Sequence, residues 1–299
     1  MGTYLSSPDT RKISFNGEGP TTRFGASSMQ GWRLNMEDAH IFDGKFTNDS
    51  ALFAVFDGHG GSEVAKFCGK HFGTRLKKNL NFEAGRMEEA LKETFLLMDT
   101  ILFTPEGQAE LRTLKTDSEG GDSFAGCTAN VILIHKNTIY CANSGDSRTI
   151  LYSNKTVVEL SIDHKPGNEI EKQRISNAGG FVIEGRVNGN LNLSRSIGDL
   201  EFKKNPDLKP TEQLIIAYPD VQKRVIKPED SFLVMGCDGI WEILSEDEIC
   251  QICDYKLKDG DKVKISDVVE EILDKGLAPD TSQGIGCDNM CSIIIILKH

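Results

Sequence analysis

A short apolar run that ends in an Asp-Gly pair constrains this chain more than any other feature. Residues 51–56 have the length and Phe/Val content of a buried strand. Asp57 follows at the fixed end of that strand, and Gly58 lets the backbone turn so that its carbonyl can face the same cation. His59 adds a side chain that titrates near neutral pH. The pattern fits either a metal site or an ordinary turn with a surface histidine.

The overall composition limits the function classes. The 299 residues carry a formal net charge of −11, which argues against a nucleic-acid partner bound through a basic surface. Eight cysteines in a chain of this length do not suggest a disulfide framework. The first residues lack the apolar core of a signal peptide, and no apolar run approaches the ~20 residues that span a bilayer. We therefore expect a cytoplasmic protein, with a nuclear or membrane-associated location as alternatives.

The beginning of the chain predicts a tail rather than a structural element. Residues 1–20 are rich in Ser, Gly, Pro and Thr, so we expect them to be poorly ordered, ahead of a single domain over residues 21–299. Gly2 and Ser6 fit the N-myristoylation pattern, and an unmodified tail is the alternative. A single acyl chain gives only weak, reversible membrane binding, so any membrane association is expected to be weak.

The order of helices and strands predicts an α+β fold. Apolar residues at about every fourth position over residues 64–80 and 86–103 indicate two amphipathic helices. Short turns join strand-like runs over residues 126–160, which indicates antiparallel hairpins. Because helices come in pairs and strands in hairpins, antiparallel sheets are expected rather than a doubly wound fold.

Four aspartates lie at the ends of predicted strands. Asp57 and Asp238 follow buried strands, Asp288 precedes one, and Asp146 lies in a turn between two. In adjacent antiparallel strands the end of one lies beside the start of the next, so one sheet edge can gather all four carboxylates. Such a cluster repels itself unless cations hold it, and all-oxygen ligands favour Mg²⁺ or Mn²⁺ over zinc. Four unrelated aspartates in exposed turns are the alternative.

A series of short motifs makes a family resemblance specific. In chain order the motifs are Gly31-Trp32-Arg33 with Met36-Glu37-Asp38-Ala39, Asp57-Gly58-His59-Gly60-Gly61, Gly126-x-Thr128-Ala129, Ser144-Gly145-Asp146-Ser147-Arg148, Asp163-His164-Lys165-Pro166, Ala178-Gly179-Gly180, Arg186-Val187-Asn188-Gly189, Ser194-Arg195-x-x-Gly198-Asp199, Asp238-Gly239-x-Trp241 and Asp288-Asn289. Together they resemble the type 2C protein phosphatases, the metal-dependent serine/threonine class, over about residues 22–297. Cys127, Asn192 and Glu242 are small departures from the family pattern.

The resemblance implies a central antiparallel β-sandwich flanked by pairs of α-helices, with a binuclear metal centre at one end. It assigns Asp57 to bridge two cations, Mn²⁺ or Mg²⁺. Glu37 and the Gly58 carbonyl are implied to bind one of them, and Asp238 and Asp288 the other.

The remaining site residues are also implied by the resemblance. Asp146, with Asp238, is similar to a weaker third metal site in the family, Arg33 to its phosphate-binding arginine and His59 to its general acid. Residues 165–199 resemble a flap beside the active site that influences substrate choice. Three further residues are expected to support the site: Asp38, Asp199 and Asn289.

The implied reaction is hydrolysis of phosphoserine and phosphothreonine in phosphorylated proteins, by direct attack of a water that bridges the two cations. The alternative is a catalytically silent relative that binds phosphoproteins. Nothing in the sequence indicates an obligate oligomer, so a monomer is expected.

Four cysteines and a pair of lysines form two further patterns. Cys250, Cys253, Cys287 and Cys291 could be read as a zinc site, but core packing on a helix explains the first two and the last two flank the Asp288 motif, so zinc is not favoured. Lys203 and Lys204 are most simply part of a solvated loop.

Overall fold

The computed structural model describes residues 4–115 and 123–299. Gly2 and residues 116–122 of the polar loop lie outside this range. The strands are β1 Tyr4–Glu18, β2 Thr22–Arg33, β3 Ala39–Thr47, β4 Ser50–Phe56, β5 Gly58–His59, β6 Gly126–Cys127, β7 Ala129–His135, β8 Thr138–Ser144, β9 Arg148–Ser153, β10 Thr156–Glu159, β11 Val182–Ile183, β12 Arg186–Val187, β13 Ile197–Gly198, β14 Asp220–Val225, β15 Asp230–Gly236 and β16 Met290–Leu297.

The helices pair on the outside of the sheets. They are α1 Glu63–Lys77, α2 Leu80–Glu83, α3 Met87–Leu102, α4 Pro105–Leu114, α5 Glu169–Asn177, α6 Asp238–Trp241, α7 Glu246–Lys256 and α8 Ile265–Gly276, with 3-10 turns at Leu200–Lys203 and Leu257–Lys262. Among the residues described, none of the helices has the length and apolar content that crossing a membrane requires.

Two large antiparallel sheets stack as a sandwich. One has the strand order β1-β2-β16-β15-β9-β10 and the other β14-β8-β7-β4-β3. In β4 the side chains of Phe53 and Val55 join the core between the sheets, while Leu52, Ala54 and Phe56 join a second core under α1 and α3. Successive residues of a strand face opposite sides, so an all-apolar strand covered by helices is buried on both faces. The predicted α+β fold with antiparallel sheets is confirmed.

The first strand corrects the expectation of a poorly ordered tail. β1 pairs with β2 along most of its length, with Ser14 opposite Ser27 and Glu18 opposite Arg23. The composition of this segment suggested disorder, but hydrogen bonding to the edge of β2 supplies partners that no local sequence pattern shows. The extent of a single domain over residues 21–299 stays a prediction.

Sequence periodicity located the main helices better than their ends. The residues Val64, Cys68, Phe72 and Leu76 are buried along α1 as predicted, whereas Leu80 is 76% exposed because α1 ends at Lys77. Helix α4 and strand β14 were not predicted.

Replacing Asn16 with Ala tests whether β1 is part of the folded protein. The Asn16 side chain accepts a hydrogen bond from the Ser266 backbone N–H (2.9 Å) in the first turn of α8 and donates one to the Ser266 hydroxyl (2.7 Å). Because these bonds satisfy a helix-end N–H, Asn16→Ala should lower the free energy of unfolding by about 1 kcal/mol in urea denaturation.

Thr10→Ala on the same strand is the matched control, since Thr10 is exposed. It should change the free energy of unfolding by less than about 0.5 kcal/mol. Equal stability of both variants and the parent would mean that β1 is not docked in solution.

Candidate metal centre

Strand pairing gathers the predicted carboxylates at one end of the sandwich. β15 runs between β9 and β16, with Gly236 opposite Arg148 on one side and Ser292 on the other. Asp238 follows β15, Asp288 precedes β16 and Asp146 precedes β9, so antiparallel pairing brings all three to the same rim. The end of β4 adds Asp57 from the second sheet.

The carboxylates line a cleft of about 160 Å³. The residues that line it are Arg33, Glu37, Asp57, Gly58, His59, Gly60, Thr128, Asp146, Asn192, Leu193, Asp238, Asp288 and Asn289. All predicted ligands are therefore in one cleft. Of the supporting residues, Asn289 lines the cleft. Asp38 lies next to Asp57, and Asp199 contacts His59, but neither lines the cleft itself.

Oxygen atoms lie close enough together to hold a divalent cation. Carboxylate oxygens of Asp57, Asp146 and Asp238 are all within 4.8 Å of one another. A second group of the same size combines Asp38, Asp57 and the Cys237 thiol. One oxygen of Asp38 is buried without a hydrogen-bond partner. The all-oxygen set of Asp57, Asp146 and Asp238 fits Mg²⁺ or Mn²⁺. The unpaired Asp38 oxygen next to Asp57 is a further acceptor with no partner among the described residues.

The carboxylates repel one another strongly. Burial, together with the charges of Asp238, Asp38, Asp146 and Asp288, raises the pKa of Asp57 well above its usual range. Burial and the charges of Asp146 and Asp288 raise the pKa of Asp238 to about 7. A cluster of this kind either holds protons or binds cations, because ionised carboxylates at this separation destabilise each other.

Two basic side chains relieve part of this repulsion. The Arg33 guanidinium contacts Asp288, and the Lys165 ammonium contacts Asp146. Both side chains are 44% exposed, so the guanidinium and the ammonium group each reach the carboxylate cluster from the solvent side. Lys165 comes from the flap-like segment and was not among the predicted site residues.

Close backbone approaches fix the positions of the ligands. A side chain at Gly58 would place its Cβ 2.4 Å from the Glu37 carbonyl oxygen, so only glycine fits there. The Glu37 N–H donates to the Asn289 side chain (2.9 Å), which in turn donates to the carbonyls of Gln30 (2.8 Å) and Asn35 (3.0 Å). Asn289 thus ties the Glu37 segment to β16, as a supporting residue should.

His59 is held by a buried carboxylate. Its Nε2 lies 2.8 Å from an Asp199 oxygen, and the Asp199 side chain is only 3% exposed. Burial opposes the charged imidazolium, but the Asp199 charge and hydrogen bond outweigh it and raise the pKa of His59. A Cβ at Gly126 would come within 2.2 Å of the Asp199 oxygen, so this contact requires glycine.

One expectation from the sequence is not met: Lys203 is buried rather than solvated, because its ammonium binds the Asp99 carboxylate. Core packing of Cys250 and Cys253, the favoured interpretation, is confirmed. Cys291 lies in the same core, and Cys287 packs in a separate cluster with Trp32. In the part of the chain that the structure covers, these four thiols form no group of metal-binding size.

Comparison with known proteins identifies the family. A family model described as Protein phosphatase 2C matches residues 22–285. The chain belongs to the protein phosphatase 2C family. Among its curated relatives, this phosphatase 2C is 54% identical to "Probable protein phosphatase 2C 3" of Paramecium tetraurelia, over the whole of both chains. It is 43% identical to "Protein phosphatase 2C homolog 3" of Schizosaccharomyces pombe, over 99% of this chain and 70% of that one.

Solved structures share the fold of this phosphatase 2C. A phosphatase from Toxoplasma gondii superposes with a TM-score of 0.77 at 24% identity, covering 96% of each chain. A serine-threonine phosphatase 2C from the same organism gives a TM-score of 0.77 at 18% identity, over 96% of this chain and 99% of that one. At these identities the similarity concerns the fold. The resemblance that the short motifs predicted is confirmed.

The raised carboxylate pKa predicts how stability without metal depends on pH. Because the folded state keeps a proton on Asp238 up to about pH 7 and the unfolded chain loses it near pH 4, stability falls as pH rises through this range. In EDTA at pH 8, Asp238→Asn should therefore be more stable than the parent by at least about 1 kcal/mol, and the gain should shrink towards pH 5.5. Chemical denaturation measures this difference.

Asp207→Asn is the control, because Asp207 is exposed and should show no such gain. Added Mn²⁺ should stabilise the parent at pH 8 and the Asp238→Asn variant much less. A variant less stable than the parent in EDTA at pH 8 would contradict the repulsion that the geometry indicates.

Proposed function

We propose that this protein hydrolyses phosphoserine and phosphothreonine in proteins, with two divalent cations, Mn²⁺ or Mg²⁺. The observation that carries the proposal is the cleft itself, in which a cluster of carboxylates faces an arginine and a histidine. Membership of the protein phosphatase 2C family supports phosphorylated proteins as the substrate class.

The chain offers two groups of ligands. Glu37, Asp57 and the Gly58 carbonyl would hold one cation, and Asp238 and Asp288, which line the same cleft, would hold the other. When bound, divalent cations neutralise a phosphate dianion and lower the pKa of water. Asp146 is a candidate for a weaker third cation, which would have to share it with Lys165.

Arg33 is suited to bind the phosphate. Its guanidinium is partly exposed, and one of its nitrogens, Nη2, is held by the Asp288 carboxylate. Since the guanidinium stays charged at all relevant pH values, its remaining N–H groups can donate to two phosphate oxygens. This orients the phosphorus atom over the carboxylate cluster.

His59 is suited to protonate the leaving group. Because Nε2 is engaged by Asp199, Nδ1 is the nitrogen left to approach the substrate. The proton passes from the imidazolium to the serine or threonine oxygen as the P–O bond breaks, so the product leaves as a neutral alcohol. The Asp199 charge favours the protonated ring before the reaction.

Several sequence-based predictions stay predictions. These are acylation of Gly2, weak membrane association, a cytoplasmic or nuclear location, and a monomeric state. The silent phosphoprotein-binding relative is not favoured, because every predicted ligand lies in the cleft.

The proposal predicts metal-dependent turnover of a phosphothreonine peptide. Purified protein should release phosphate with Mn²⁺ or Mg²⁺, lose activity in EDTA and regain it when metal is added back. The reason is that the carboxylates repel the phosphate dianion of the substrate unless cations neutralise both. Activity that persists in EDTA would contradict the metal mechanism. Peptide binding without phosphate release at any metal concentration would instead indicate the silent relative.

His59→Gln should slow poor leaving groups selectively. Without a proton donor, turnover of the phosphothreonine peptide should fall by about 10²-fold or more, and that of p-nitrophenyl phosphate, whose phenolate leaves readily, by much less. Steady-state kinetics on both substrates measures the split. His71→Gln is the control, because His71 lies on α1 beside Glu110, and it should slow neither. Equal slowing of both substrates by His59→Gln would remove the acid role.

A further inference from the structure

A buried lysine outside the cleft contacts the segment that carries Asp199. Lys203 was expected in a solvated loop, yet its side chain is only 4% exposed. Its ammonium donates to an Asp99 carboxylate oxygen (2.6 Å) and to the Ser196 carbonyl (2.8 Å). Asp99 lies on α3, far along the chain from every motif of the site.

The same aspartate holds the other part of this turn. The second carboxylate oxygen of Asp99 accepts a hydrogen bond from the Gly198 N–H (2.8 Å). Lys203 and Asp99 together therefore fix the Ser196 carbonyl and the Gly198 amide, which lie on the two sides of Ile197. The Ser196 hydroxyl completes the connection, because it donates directly to the Asp199 carboxylate.

The backbone of this turn needs such support. Gly198 has φ +85° and Asp199 has φ +48°, so two consecutive residues adopt the left-handed region. Asp199 has a side chain, and a non-glycine residue keeps this conformation only where surrounding contacts enforce it. A Cβ at Gly198 would meet the Ala125 carbonyl oxygen at 2.7 Å, so the turn is also pressed against β6.

We propose that Lys203 and Asp99 are positioning residues that hold Asp199 against His59 and so orient the general acid. The proposal rests on the proposed function of His59. A buried lysine–aspartate pair is weak evidence for stability, because desolvation of both charges offsets their attraction. Its two hydrogen bonds to the backbone of one turn instead favour a role in fixing geometry.

The chain of contacts is direct at each step. Lys203 and Asp99 hold the turn, the turn holds the Asp199 backbone, and Asp199 binds His59 Nε2 at 2.8 Å. Loosening the turn leaves the ring in place but free to rotate, so Nδ1 points less often at the leaving oxygen. Metal binding and phosphate binding use other residues and are expected to be retained.

The test compares Lys203→Met with Lys204→Met, the exposed neighbour. Lys203→Met should lower kcat on the phosphothreonine peptide about 10-fold, and kcat on p-nitrophenyl phosphate less than about 3-fold, since only the poor leaving group depends on the acid. The Mn²⁺ concentration for half-maximal stabilisation should not change. Lys204→Met should behave as the parent.

A double-mutant cycle separates positioning from a general structural effect. In a His59→Gln background, Lys203→Met should add little further loss on the peptide, because there is no acid left to orient. Ser196→Ala, which removes only the hydroxyl that binds Asp199, should show the same selective loss in smaller degree and serves if Lys203→Met does not fold.

The outcomes separate the positioning role of Lys203 from the acid role of His59. Selective loss in Lys203→Met or Ser196→Ala that disappears in the His59→Gln background supports the positioning role. Equal loss on both substrates, or losses that add to that of His59→Gln, would overturn it while leaving the acid role intact. If His59→Gln itself slows both substrates equally, the proposed acid role fails first, and the positioning role with it.

Discussion

Mutual repulsion among carboxylates at one rim of the sandwich is the constraint on which the site depends. Asp57, Asp146 and Asp238 bring oxygens within 4.8 Å of one another, and burial together with the neighbouring charges raises the pKa of Asp57 and of Asp238. A flexible protein would relieve this repulsion by moving the side chains apart. Here two packed sheets prevent such movement, so the repulsion between the carboxylates is relieved when cations bind.

The rigidity comes from strands that are covered on both faces. β4 delivers Asp57 from between two hydrophobic cores, and β15 delivers Asp238 from between β9 and β16. Close backbone approaches at Gly58 and Gly126 leave no room for alternative packing around the ligands and His59. The site is therefore held mainly by main-chain geometry, and its side chains carry the chemistry.

Buried charges also tie the flap-like segment to the sandwich. Arg195 donates to Glu171 on α5 (2.6 Å) and to Asp220 at the start of β14 (2.8 Å). His164 contacts the same Asp220 (3.1 Å) and accepts from the Gly145 N–H (3.2 Å), one residue before Asp146. With the Lys203–Asp99 pair, these contacts connect the flap-like segment to both the carboxylate cluster and His59.

The sequence by itself determined the fold class, the buried strands and the charged groups that line the cleft. Apolar runs of strand length and Asp-Gly turns are local properties, and an ordered set of motifs made the family specific. Only the tertiary structure decided that Tyr4–Glu18 is a strand, that Lys165 contacts Asp146 and that Lys203 is buried against Asp99. Each of these depends on a partner more than 18 residues away or on an open strand edge. Local composition does not indicate such a partner, because hydrogen bonding and the burial of a charge depend on residues that are distant in sequence and close in the fold.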